Sequence, residues 1–268
     1  MKYKLIVSDY DGTLGEAPKN DVDQQTLQAI NKVIDKGGIF AVCSGRETSS
    51  ITKILKNAGL KGLVASFQGA RISDIESGEY IFNGGLTTEQ ALEVLSAVES
   101  TGLSPIGYGE NEIFYPKKDA YIGYYEQNVG IKGRIVNMEE ELKKQGSAAK
   151  ICFLGDNELV NKTVAIMNEK FKDKKIKFNS GAQCLLEAIN SECGKGQAVR
   201  YIANYYNIPL DQIITVGDST NDIDLVKGPW HGVAVGDGRE ELKAVAKEVT
   251  VPFKDKPIKT LIEKYCLC

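Results

Sequence analysis

The 268-residue chain is expected to fold as an α/β protein, a doubly wound parallel-sheet core interrupted by an inserted α+β domain. Three observations predict this. Apolar runs of strand length alternate with amphipathic helical segments over residues 1–85. Over residues 86–180 that rhythm gives way to grouped helices and short strands. It resumes over residues 181–268. A Rossmann-like core built from 1–85 and 181–268, with 86–180 inserted, satisfies all three with ordinary right-handed crossovers.

The first strand is the run Lys4-Leu5-Ile6-Val7-Ser8, apolar on both faces as a buried parallel strand must be. Leu27, Ile30, Val33 and Ile34 recur at helical spacing over residues 22–36, and Gly37-Gly38 stops that helix. Ile39-Phe40-Ala41-Val42-Cys43 is a second buried strand, followed by a helix through Ile51, Ile54 and Leu55. Leu63-Val64-Ala65-Ser66-Phe67 is the third strand. In the insert the spacing predicts a helix over 89–100, strands around Ile106 and Ile113, and a Tyr-rich helix over 119–128. A strand over 150–154, a helix over 158–171 and strands near Ile176 and Leu185 follow. Gly84-Gly85 and Asn179-Ser180-Gly181 are the expected hinges. The core then returns with a helix over 197–206 and the strand Ile213-Ile214-Thr215-Val216-Gly217. Strands over 232–235 and 248–251 flank a last helix over 240–247.

Composition narrows the function classes. Hydrophobic residues are 42% and charged residues 26%, the balance of a soluble globular protein with ample material for a core. A net charge of −3 gives no global footprint for nucleic acid. No apolar run reaches the roughly 20 residues of a membrane span, and the N-terminus shows no signal-peptide pattern, so a cytoplasmic protein without membrane or nucleic-acid partners is expected. Six cysteines in a chain of this length, with no CxxC pair, read as free thiols, with Cys43, Cys152 and Cys184 inside apolar strand-like runs. Cys266-Leu267-Cys268 reads as a frayed tail. His231 is the only histidine, in a turn-like Gly228-Pro229-Trp230-His231-Gly232; multi-histidine metal centres are excluded, and a Ser-His-Asp triad is not expected from a loop histidine. Acid–base chemistry must fall to carboxylates, Lys or Cys.

Four segments carry that chemistry. Ser8-Asp9-Tyr10-Asp11-Gly12-Thr13 follows the first strand, and ligand sites in open α/β sheets lie beyond the carboxyl ends of strands. Two acids one residue apart repel, a conflict that Mg²⁺ resolves with oxygen ligands; the plain alternative is an Asp-Gly turn. Val42-Cys43-Ser44-Gly45-Arg46 precedes a helix, where a hydroxyl and free N–H groups make an anion site, unless Ser44 is an ordinary N-cap. Glu192-Cys193-Gly194-Lys195-Gly196-Gln197 sets one Lys in a glycine turn opening a helix; alone it would read as a solvated Lys. Gly217-Asp218-Ser219-Thr220-Asn221-Asp222 adds two acids at the end of a late strand.

Together, in order and spacing over the whole chain, these segments resemble the haloacid dehalogenase-like hydrolase superfamily, and within it the Cof-type phosphatases with a large cap of the C2 type. The resemblance implies a Mg²⁺-dependent phosphatase of small phosphorylated metabolites, sugar phosphates foremost, working through an aspartyl-phosphate. It implies Asp9 as nucleophile and Asp11 as general acid and base. It implies Gly12, Ser44, Gly45, Lys195 and Asn221 around the phosphate, and Asp9, Asp11, Asp218 and Asp222 around the metal. Two departures touch the leaving-group side. Gln68-Gly69 stands where the family carries Asn-Gly, and Gly236-Asp237 where it carries Asn. The insert would read the leaving group, with Tyr108, Glu110 and Asn111 as candidates beside Gln68. A sugar phosphomutase is the alternative, and would need a second phosphate held by cations among Lys117, Lys118, Lys132, Arg134, Lys143 and Lys144. A catalytically inactive binding module is the reading from another class.

Overall fold

The computed structural model describes every residue except 18, 110–111, 181–183 and 268. It divides into two compact units, Met1–Phe82 with Gly194–Cys268, and Asn83–Cys193. The first unit opens with β1 (Leu5–Ser8), α1 (Gln24–Asp35), β2 (Ile39–Cys43), α2 (Thr48–Asn57), β3 (Leu63–Ser66), β4 (Arg71–Asp74) and β5 (Tyr80–Asn83). The second holds β6 (Leu86–Thr87), α3 (Thr88–Glu99), β7 (Ser104–Tyr108), β8 (Ile113–Tyr115), α4 (Ala120–Val129), β9 (Gly133–Ile135) and α5 (Met138–Gln145). It continues with β10 (Ser147–Ala148), β11 (Ile151–Leu154), α6 (Asn157–Lys170), β12 (Ile176–Ser180) and β13 (Leu185–Asn190). The first unit then closes with α7 (Lys195–Tyr205), β14 (Ile213–Gly217), α8 (Ile223–Val226), β15 (His231–Ala234), α9 (Glu240–Lys243), β16 (Glu248–Val249) and α10 (Pro257–Tyr265).

The large sheet runs β16-β15-β14-β1-β2-β3-β4-β5, parallel from β16 to β3 and antiparallel between β3 and β4. Its central strands alternate their apolar side chains between two cores, as strands covered on both faces must. Ile6, Phe40, Val42 and Val216 pack with Ile30 and Val33 of α1, Ile51 and Leu55 of α2, and Leu261 of α10. Leu5, Val7, Ala41 and Ala65 pack the other way, with Val199 and Ile202 of α7 and with Trp230. Strand β1 pairs with β2 on one side and β14 on the other, in registers Ser8↔Val42 and Ser8↔Val216. The chain therefore leaves β1 and β14 side by side, at the place where strand order reverses, and this fixes where any site must form.

The second unit is a six-stranded sheet, β12-β13-β11-β7-β8-β9, with a separate β10-β6 pair. Phe114, Ile151, Phe153 and Phe178 from the sheet meet Val94 and Val98 of α3, Leu142 of α5, and Val160 and Met167 of α6. Asn179 and Ser180, expected at a hinge, instead close β12, and β13 pairs along it from Ile176↔Asn190 to Ser180↔Leu186. The backbone bonds of β13 thus carry this unit on to Cys193.

Other expectations are corrected. The antiparallel β4, the edge strand β5, α5, β9 and α10 were not read from the sequence. The C-terminus is not frayed up to its last described residues: Cys266 is buried and its thiol meets the Tyr3 carbonyl at 3.7 Å. Cys43 and Cys152 are buried free thiols, but Cys184 is only partly buried and precedes β13 at φ 68°. His231 begins a strand, stacks on Tyr3 at 5.4 Å and meets Glu248 at 3.0 Å. No described helix is long and apolar enough to cross a membrane.

Trp230 is 1% exposed, donates its indole N–H to the Leu225 carbonyl at 2.7 Å and lies under the Arg200 guanidinium. Trp230→Ala should destabilise the protein by about 3–5 kcal/mol in urea unfolding, and Trp230→Phe by clearly less. Equal, small losses would show that this side of the core does not depend on the indole.

Candidate active site

Asp9 leaves β1 with its backbone N–H donating to the Val216 carbonyl at 2.9 Å, so the first acid is hung directly on the neighbouring strand. The chain then turns tightly: the N–H groups of Thr13, Leu14 and Gly15 all approach the Tyr10 carbonyl. Gly12 sits in this turn at φ 78°, and a Cβ there would lie 2.6 Å from Asp218 Oδ2. Both the left-handed backbone and the approach of a carboxylate require glycine.

Lys195 opens α7 behind Gly194, and it is not a solvated lysine: it is 1% exposed. Its Nζ donates to Asp9 Oδ1 at 2.6 Å and to Asp222 Oδ1 at 2.5 Å. The other Asp222 oxygen accepts from the backbone N–H groups of Asp218 and Ser219 at 3.1 and 3.0 Å. One buried carboxylate thus ties the ammonium to the loop that carries Asp218. Thr13 Oγ1 donates to Asp218 Oδ1 at 3.1 Å and completes the tie.

Asp9, Asp218 and Asp222 each place a carboxylate oxygen within 4.8 Å of the others. Three acids and one ammonium leave an excess of negative charge in a largely buried space. Burial pushes the Asp9 carboxyl well above the usual range; Lys195 opposes the rise, and Asp222 and Asp218 add to it. Burial and the Asp222 charge push Asp218 up to about 6, against its Thr13 hydrogen bond. Such a donor set, all oxygen and short of positive charge, fits a hard divalent cation such as Mg²⁺.

Asp11, expected with this group, is not in it. Arg46 takes its carboxylate in a fork, Nε to Oδ2 at 2.8 Å and Nη2 to Oδ1 at 2.6 Å, while Nη1 reaches Asn20 Oδ1. The guanidinium also stacks over Tyr10. Ser44 is fully buried and its Oγ accepts from the Arg46 N–H at 3.1 Å. The N-cap reading of Ser44 does not hold: Glu47 is the N-cap of α2, its carboxylate accepting from the Ser49 and Ser50 N–H groups. A cavity of about 450 Å³ brings together Asp9, Asp11, Gly45, Arg46, Gln68, Asp218, Ser219 and Asn221. Asp237 is not among its lining residues and accepts from the Phe253 N–H.

Tyr108 ends β7. It is buried, with its hydroxyl on Tyr125 and near Cys152 Sγ. Glu110 and Asn111 lie outside the described residues. Three of the six cations proposed for a second phosphate are committed: Lys118 to Glu126, Arg134 to Glu112 and Glu141, and Lys143 to Glu139. A larger cavity of about 930 Å³ within the second unit carries none of the four motifs. Asp119 on its wall already accepts from Ser104 and caps α4. Sequence reasoning missed Thr13, Arg46 and Asp224, whose Oδ2 accepts from the Gly196 N–H at 2.9 Å and fixes the Lys195 turn. Thr13 and Arg46 stood within the quoted motifs; nothing in the sequence pointed to Asp224.

The profile of a family described as haloacid dehalogenase-like hydrolase matches residues 6–262. Phosphatase YwpJ of Bacillus subtilis is 26% identical, over 92% of this chain and 94% of its own. A haloacid dehalogenase-like hydrolase from Bacteroides thetaiotaomicron superposes with a TM-score of 0.81 at 22% identity, covering 98% of this chain and 99% of the other. A sugar phosphatase of haloacid dehalogenase subclass IIB superposes at 0.77 and 18% identity, covering 99% and 100%.

The raised Asp218 carboxyl makes a signed prediction. A carboxyl whose folded pKa exceeds its unfolded value costs stability as pH rises between the two, here from 3.8 to about 6. With a chelator present, Asp218→Asn should gain stability relative to the natural protein across that window. A difference independent of pH would remove the charge crowding described here.

Proposed function

This chain belongs to the haloacid dehalogenase-like hydrolases, and we propose that it is a Mg²⁺-dependent phosphatase of small phosphorylated metabolites, sugar phosphates foremost, with Asp9 as its nucleophile. The observation that carries this reading is the Asp9 carboxylate itself. It stands at the end of β1, held by a buried ammonium, and lines a cavity together with Asp11 and Asp218, with Asp222 buried beside it. The cavity suits a phosphate monoester of metabolite size, and the phosphatases and the sugar phosphatase among the similar proteins support the substrate class.

In this reading Asp9 and Asp218 hold the cation, with Asp222 behind them. When bound, Mg²⁺ neutralises charge on the phosphoryl oxygens and on the acids around it. The Asp9 oxygen not bonded to Lys195 attacks phosphorus, and the P–O bond to the leaving alcohol breaks. Lys195 fixes the carboxylate for in-line attack and offsets charge on the phosphoryl group. In its protonated form Asp11 gives its proton to the departing alkoxide, and the carboxylate so formed then takes a proton from the water that cleaves the acyl phosphate, which restores the acid. To do so its carboxylate must leave the Arg46 fork. Gly12, Gly45 and Asn221 are the proposed neighbours of the phosphoryl oxygens; Ser44, fully buried, must act through its hydroxyl at the edge of that group. The second unit is proposed as the cap.

Two outcomes test this. Phosphate release from sugar phosphates should cease with EDTA and return with Mg²⁺; full turnover in metal-free buffer would contradict the metal assignment. Asp9→Asn keeps size and fold but loses the attacking charge, and should lower kcat by at least about 10⁴-fold. Activity within tenfold of the natural enzyme would exclude covalent catalysis at Asp9.

A further inference from the structure

The backbone that presents Gln68 to the cavity is unusual. Phe67 and Gln68 have φ of 48° and 57°, followed by Gly69 at 92°. Two consecutive L side chains in the left-handed region are costly, and such strain persists only where its surroundings over-determine it. Here they do. The Phe67 N–H donates to the Arg46 carbonyl at 2.8 Å and the Gln68 N–H to the Ser44 carbonyl at 3.0 Å. Gly69 presses against the Gly194 carbonyl, 2.4 Å from where a Cβ would be. The loop after β3 is thereby tied both to the Ser44 segment and to the Lys195 turn.

What this holds in place is a carboxamide. It lies over Gly45, where a Cβ would meet Nε2 at 2.6 Å and Oε1 at 3.7 Å. Position 45 gives up a side chain to make room for it. Yet Gln68 Oε1 is buried with no hydrogen-bond partner. A glutamine that served only to brace the loop would have its carbonyl paired, because buried polar groups in native proteins nearly always are. The unpaired oxygen belongs to a side chain that lines the same cavity as Asp9, Asp11 and Asn221.

We infer that Gln68 is a specificity-determining residue whose Oε1 accepts a hydrogen bond from a hydroxyl or amino group of the leaving alcohol. The substrate class is then phosphate monoesters of polyols or amino alcohols, in preference to simple alkyl phosphates. This rests on the phosphatase reading and names the atom that selects within it. A site built to bond a donor discriminates against the analogue that lacks it, because the acceptor is left buried and unpaired a second time.

The test compares kcat/KM for glycerol 1-phosphate and propyl phosphate, which share a three-carbon chain and differ in hydroxyl groups. The natural enzyme should prefer the hydroxylated ester by at least about tenfold. In Gln68→Leu, with folding checked by circular dichroism, that ratio should fall to about threefold or less. Gln68→Glu keeps an acceptor and adds charge, and should shift preference from glycerol 1-phosphate towards ethanolamine phosphate; it also serves should the Leu variant fail to fold. A natural-enzyme ratio near one, a ratio unchanged in folded Gln68→Leu, or a Glu variant with no shift would each overturn the inference while leaving the phosphatase reading intact. Absence of turnover of any phosphate monoester by the natural enzyme would instead overturn that reading.

Discussion

Everything in the site depends on one buried ammonium. Lys195 Nζ lies between Asp9 and Asp222, in a space closed to water on the Lys side. Burial favours its neutral form, and the two carboxylates outweigh that and keep it charged. The arrangement couples three distant stretches: the end of β1, the start of α7 and the loop after β14. Removing one partner of such a buried group leaves an unpaired charge, typically at about 3–5 kcal/mol. The interaction therefore organises the fold at its functional edge as well as orienting Asp9.

The same geometry explains the excess acidity around it. Lys195 cannot neutralise Asp9, Asp222 and Asp218 together, and burial, with the Asp222 charge added to it, pushes the last up to about 6. The first unit supplies a second cation, Arg46, but spends it on Asp11. Two carboxylates one residue apart in sequence are thus held in different company: Asp9 is buried on an ammonium, and Asp11, half open to solvent, is on a guanidinium.

Much of this was legible in the sequence, for a physical reason. Parallel strands buried on both faces read as apolar runs, and the residue after each run falls at the ligand edge; Asp9, Ser44 and Asp218 were found that way. Lys195 was legible only through its glycines and through the resemblance to a hydrolase family, since its burial depends on acids 27 and 186 residues away. Other features left no local signal. Helix α5 buries only Met138 and Leu142 in an otherwise charged segment. Gly107 lies within β7 to admit the Phe114 ring, 2.3 Å from where its Cβ would be. Helix α10 did carry readable signs, Pro257 at its start and Ile258, Leu261 and Ile262 at helical spacing. The Arg46 fork is a choice of partner that spacing does not encode.

The central claim is that the Asp9 carboxylate takes the phosphoryl group. Its most direct test is to quench Asp11→Asn in acid during turnover of a phosphate monoester with Mg²⁺, and to map the phosphorylated residue by peptide mass spectrometry. The account predicts one acyl phosphate, on the peptide carrying Asp9, absent from the Asp9→Asn, Asp11→Asn double variant. A phosphoryl group found on any other residue, or phosphate released in a single turnover with none bound to Asp9 at any time, would contradict it.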